Sequence, residues 1–159
     1  MLALAEVRPS ADDLAIGAVL EELYSVISFE EGDEPNAQGL RLLFSERARI
    51  TRVTPEGTDC LTPASFVEMT QNMLEIGVYT SFYEFELARR IDRFGDMAQV
   101  WSFYETRRNR GARDALSRGV NSIQLIMEPS GWKVLSLLWD EARADPNLDV
   151  QQLVKRNFI

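Results

Sequence analysis

The chain contains no histidine and one cysteine, Cys60, so any chemistry it performs falls to carboxylates, tyrosines and arginines. The missing imidazole removes the commonest general base, the usual serine and cysteine triads and the usual metal ligand. One cysteine excludes an intramolecular disulfide and any multi-cysteine zinc or iron-sulfur site. No calcium-loop pattern replaces them, so no metal and no cofactor is expected. Cys60 has no His or Lys beside it in sequence to lower its pKa and reads as an incidental thiol. Asp140 and Glu141 close a predicted strand, where desolvation can raise a carboxylate pKa, although a solvated strand end has the same composition. Asp140 and Tyr24 are the candidate acid-base residues. Glu84 and Glu86 alternate with Tyr83, Phe85 and Leu87 and share one strand face, read here as the wet one. Arg89, Arg90, Arg93, Arg107, Arg108, Arg110 and Arg113 could grip an anion, but Glu84, Glu86, Asp92 and Glu105 stand ready as cross-strand partners. Tyr24, Met73, Trp101, Tyr104 and Trp139 are the candidates for lining an apolar ligand pocket, at spacings that serve a core equally well.

These residues need elements to position them. Ser10 precedes "ADD", a capping hydroxyl followed by acids that oppose the positive end of a helix dipole. Ile16, Val19, Leu20, Leu23, Tyr24 and Ile27 then recur at three- and four-residue steps, the stripe of an amphipathic helix. "LRLLFSERA" predicts a short second helix and "RITRV" a strand stopped by "TPEG". Thr62-Pro63 starts a third helix, with Phe66, Met69, Met73, Leu74 and Ile76 as its stripe and Gly77 as its stop. From Val78 the pattern becomes extended: two long runs reverse at Gly95-Asp96, and two more, "VNSIQLIME" and "WKVLSLLWDEA", reverse at "PSG". The stretch 144–159 predicts a C-terminal extension with a short helix.

With 159 residues, 45% hydrophobic and 26% charged, the chain has the composition of one folded domain able to bury a sizeable core. A net charge of −8 repels nucleic-acid phosphates and anionic lipid alike, so neither is an expected partner. The N-terminus lacks a basic region before its short apolar stretch, and no segment approaches ~18 unbroken apolar residues. A cytoplasmic protein without a membrane span is the expectation.

The order helix, short helix, strand, longer helix and two long hairpins predicts an α+β fold. A strongly bent antiparallel sheet would wrap three helices on its concave face. Over residues 10–143 it resembles the nuclear transport factor 2-like, or SnoaL-like, fold, most specifically in "RGVNSIQLIMEPSGWKVLSLLW", which is similar to that family's last hairpin. The resemblance implies a cone-shaped cavity that binds a small apolar ligand, or a dimeric interaction module. Its alternative is an isomerase, cyclase or dehydratase with a carboxylate and Tyr acid-base pair. Ketosteroid isomerases of this family carry a carboxylate base just before a Pro after the first strand; the matching stretch here is "RVTPEG", with Thr54 in that place. Their protonated Asp corresponds to the region of Ile123 or Gln124, leaving Tyr24 as the one match. That reaction is therefore not expected.

The last strand also bears on partners. Strict alternation puts Trp132, Val134, Ser136 and Leu138 on one face and Leu135, Leu137 and Trp139 on the other, so both faces are apolar. Three helices can cover one face. A homodimer through the sheet is the expected cover for the second.

Overall fold

The computed structural model describes residues 9–142, so the helix expected within 144–159 lies outside the described residues. Helix α1 spans Ala11–Ile27, α2 Ala37–Leu43 and α3 Pro63–Glu75; the strands are β1 Phe44–Thr54, β2 Gly57–Leu61, β3 Tyr83–Phe94, β4 Met97–Arg107, β5 Ala115–Glu128 and β6 Gly131–Glu141. The strands form one sheet in the order β2-β1-β6-β5-β4-β3. β1 runs parallel to β6, and every other neighbour is antiparallel. The sheet is open and curled, and the helices occupy its concave side.

Both expected caps are formed. Ser10 Oγ accepts from the Asp13 N–H while the Asp13 carboxylate accepts from the Ser10 N–H, each at 3.1 Å, closing the first turn of α1. Thr62 and Ser65 make the same reciprocal pair on α3. The predicted stripe of α1 is the buried one: Ile16, Leu20 and Leu23 are almost fully removed from water, each such burial stabilising the fold by roughly 1.5–3 kcal/mol. The helix is also held by Arg89 of β3, whose guanidinium donates to Gly17 O at 3.0 Å. A Cβ on Gly17 would sit 3.1 Å from that guanidinium, which would have to shift by a few tenths of an ångström to accept it.

Three expectations need correction. The second helix stops at Leu43 and "FSERA" is already strand, because Phe44 pairs with Val134 of β6. The stretch 57–61, between the predicted strand and the third helix and assigned no element by the sequence, is the edge strand β2; four of its five residues are exposed, so it carries no burial periodicity, and Cys60 lies in it, exposed. Third, β6 does not bury both faces by alternation. Gln124 pairs with Ser136 and Leu125 with Val134, leaving Leu135 as a bulge. The bulge reverses the phase, so Trp132 and Val134 before it and Leu137 and Trp139 after it join the same core. Leu138 is left on the convex face, 39% exposed.

The arginines of the central hairpin are paired, but within their own strand or with α1 and not across strands as expected. Arg90 pairs with Asp92 at 2.8 Å and Arg93 approaches Asp12 and Asp13. Glu105, 3% exposed, accepts from Arg107 and Arg118, each at 2.7 Å. The Arg118 hydrogen bond, with that of Arg107, holds its carboxyl below the usual range against the opposing effect of burial. A depressed folded pKa means that the stabilisation is present above the unfolded value of ~4.3 and is lost as pH falls through the folded one. Urea unfolding at neutral pH should show Glu105→Gln less stable by about 2 kcal/mol, with the difference shrinking towards pH 3. A gap that stays constant on acidification would show that the two arginines do not hold the ionised form.

Candidate functional site

Between the concave face and the helices lies a cavity of about 310 Å³, at the lower end of the range that small-molecule sites occupy. Its wall is mostly apolar: Leu23 and Ile27 of α1, Phe66, Met69 and Met73 of α3, and Leu137 and Trp139 of β6. Trp139 meets the Phe66 ring edge-on, with centroids 6.3 Å apart. The register shift at Leu135 brings Leu137 and Trp139 into this wall.

Polar groups converge on the side of the cone formed by β3, β4 and β5. The Asn121 amide donates to Glu84 Oε1 at 3.4 Å and to the Tyr24 hydroxyl at 3.0 Å. Tyr24 Oη lies 2.6 Å from Ser102 Oγ, and Ser102 donates to Glu86, which pairs with Arg89 at 3.0 Å. With the Ser102 proton given to Glu86, the Tyr24 proton goes to Ser102 Oγ. The chain Glu84–Asn121–Tyr24–Ser102–Glu86 thus joins α1, β3, β4 and β5. Ser28, just past α1, fixes its outer end by accepting from the Glu84 N–H at 3.0 Å and donating to Tyr24 O at 2.8 Å.

Burial pushes the Glu84 carboxyl up to about 8, with the charge of Glu141 adding and the Asn121 hydrogen bond opposing. Glu84 therefore carries a proton at neutral pH and offers a donor inside an apolar cone. Burial raises Glu86 as well, opposed by Ser102 and Arg89. The Tyr24 and Tyr104 hydroxyls are both raised, first by burial and then by Glu84, so both stay protonated. Tyr104 lies across Gly119: a Cβ there would fall 2.5 Å from its hydroxyl, so the glycine leaves room for the ring.

Of the residues expected to line a pocket, Met73, Tyr104 and Trp139 line this cavity. Tyr24 is buried and borders a second, more polar depression of about 550 Å³ beside α1, reaching the main cavity through Asn121 and Glu84. Trp101 and Asp140 are corrections. Trp101 stands between Val100 and Ser102, both fully buried on the concave side, and so points to the convex face, where it is 38% exposed. Asp140 stands between Trp139 and Glu141, which line the cavity, and alternation turns it away in the same manner. Thr54 closes the β1–β2 turn by donating to Gly57 O at 3.1 Å and does not line the cavity.

The carboxylate that sequence reasoning misplaced is Glu84. Its strand alternates acids with aromatics, and the aromatic face was the natural choice for the interior. Instead Tyr83 and Phe85 turn outward, where Arg110 and Arg107 cover their rings at 5.4 and 4.6 Å. Arg107 at the end of β4 and Arg110 in the following loop, two of the arginines considered for an anion patch, are therefore covers for aromatic rings, and they were the available signal that the acids point inward.

At the level of sequence, no family model and no curated protein matches the chain. Solved structures do. A protein of unknown function with a cystatin-like fold from Nostoc punctiforme is 13% identical, with 88% of this chain and 98% of that one covered at a TM-score of 0.67. A nuclear transport factor 2-like superfamily protein from Salmonella enterica is 15% identical over 84% and 94% of the two chains, at 0.61. A nuclear transport factor 2-like protein of unknown function from Shewanella baltica is 16% identical over 86% and 100%, at 0.56. At these identities the likeness is one of fold: the chain has the nuclear transport factor 2-like fold.

The proton on Glu84 has a thermodynamic consequence. A folded pKa above the unfolded ~4.3 means that stability is complete below that value and is lost as pH rises through about 8. Between about pH 5 and about pH 9 the wild type should lose roughly 3 kcal/mol more than Glu84→Gln, measured by urea unfolding. Parallel pH profiles for the two proteins would show that the carboxyl titrates as if in water.

Proposed function

We propose that the cone holds a small, predominantly apolar molecule that presents an oxygen acceptor to the protonated Glu84 carboxyl. The supporting observation is the pairing of a mostly apolar cavity of about 310 Å³ with a carboxyl in its wall, Glu84 seated on Asn121. Asn121 donates to Oε1, which leaves the carboxyl hydroxyl free to donate to a guest. The neutral fluorophore N-phenyl-1-naphthylamine should bind saturably at one site per chain. Met73→Trp, which fills the wall from α3, should weaken it at least tenfold. Fluorescence that rises without saturation in the wild type would remove the reading.

A second reading is favoured by the same network. A carboxyl that holds its proton at neutral pH, linked through Asn121 to Tyr24, is suited to acid-base work of the isomerase, cyclase or dehydratase kind. Here Glu84 takes the place that sequence reasoning assigned to Asp140. Glu84→Gln separates the two readings, since an enzyme loses turnover while retaining its ligand.

We also propose that two copies pair through the convex face. Trp101 and Leu138 lie in one register row across β4, β5 and β6, and Met97 is 61% exposed on the same face. A two-fold contact of at least ~1,000 Å² would cover them. Sedimentation equilibrium at low micromolar concentration should give twice the 18.1 kDa chain mass, reverting to one chain in Leu138→Arg. An ideal single-chain species in the wild type would overturn the pairing.

A further inference from the structure

Three charged side chains line the cone, namely Arg52, Glu84 and Glu141. Arg52 projects from β1, opposite Trp139 of β6 on one side and the exposed Asp59 of β2 on the other. Among the described residues, no hydrogen bond, ion pair or ring contact engages its guanidinium. The other arginines on the concave side are committed: Arg89 to Glu86 and Gly17 O, and Arg93 to the acids that open α1. Arg52 is half-buried and borders the apolar surface of Trp139, with its fork of donors open to a guest in the cavity.

We infer that the molecule held in the cone carries a carboxylate, or an equivalent singly charged oxyacid, at the end of its apolar body that lies against β1, where Arg52 binds it. The inference rests on the cavity-binding reading and adds the chemical class of the ligand. Charge balance favours it. Among the described residues Arg52 is the one cation lining the cavity, Glu84 carries its proton at neutral pH, and the Glu141 carboxylate is exposed at the end of β6. Register gives the scale. Arg52 pairs with Trp139 and Trp139 with Asn121, so Arg52 and Asn121 belong to strands two spacings apart, about 10 Å, and Glu84 reaches Asn121 from β3 on the far side. An elongated acid with an apolar body and an oxygen acceptor at its far end meets both poles, its carboxylate gripped at two N–H groups of Arg52; a simple monoacid meets the Arg52 pole alone.

The test is displacement of N-phenyl-1-naphthylamine at neutral pH by three isosteric probes, decanoate, decanol and decylamine. Decanoate should displace it at a concentration at least tenfold below that of decanol, with decylamine weakest. Arg52→Gln should abolish the preference for decanoate over decanol, and Arg52→Lys should restore part of it. Equal potency of decanoate and decanol in the wild type would overturn the inference and leave the cavity reading intact, as would a preference that survives Arg52→Gln. Decylamine binding tightest would assign the charged pole to Glu84 and Glu141, and would also overturn it. Failure of both the fluorophore and decanoate to bind would remove the two readings together.

Discussion

One residue of excess in β6 controls how the concave side of this fold is furnished. β6 lies between β1 and β5, so it must satisfy ladders on both edges while presenting its bulky side chains to the helices. Without the bulge at Leu135, strict alternation would send Leu137 and Trp139 to the face opposite Trp132 and Val134. The cone would then lose its floor, and Phe66 of α3 would lose the ring it meets edge-on. The same shift carries Glu141 inward, where its charge bears on Glu84 and Tyr104. A bulge also increases local twist, which suits a sheet that must curl around α1.

The polar network depends on that curl. Glu84 belongs to β3 at one end of the sheet and Asn121 to β5, two strands away, yet their side chains meet over β4. α1 closes the arrangement from above, with Tyr24 placed between Asn121 and Ser102. Among the described residues, no buried side-chain nitrogen or oxygen lacks a partner, so the network is satisfied throughout. The raised pKa of Glu84 follows from this packing: an acid enclosed by Tyr24, Tyr104 and apolar walls is more stable neutral than ionised, and Asn121 compensates only in part. Glu86, two residues along the same strand, differs because Arg89 reaches it. Two glutamates of one local pattern thus acquire different roles from their neighbours in space.

The apolar exterior of the sheet follows from the same geometry. Three helices cover the concave face and leave Met97, Trp101 and Leu138 on the convex one. Where the convex surface is polar it is tightly paired, as at Glu105 with its two arginines. Among the described residues, no helix is long and apolar enough to cross a membrane.

The sequence by itself determined the elements whose signals are local. The cap at Ser10, the stripe of α1, the Thr62-Pro63 start of α3 and the two reversals all rest on interactions within a few residues, and the order of these elements carries the fold. Tertiary structure decided the rest. β2 exists because β1 offers it an edge; being exposed, it left no periodic trace. The bulge at Leu135 is a property of pairing between β5 and β6, and a single strand read alone must be assumed to alternate. For β3, alternation showed that Glu84 and Glu86 share a face but could not tell which face is inside. That choice was made by contacts distant in sequence, with α1 and Ser28 receiving the acids on one side and Arg107 and Arg110 covering the aromatics on the other. The site lies where those long-range contacts converge, because burial, with the nearby Glu141 charge adding to it, turns an ordinary carboxylate into a proton-holding one.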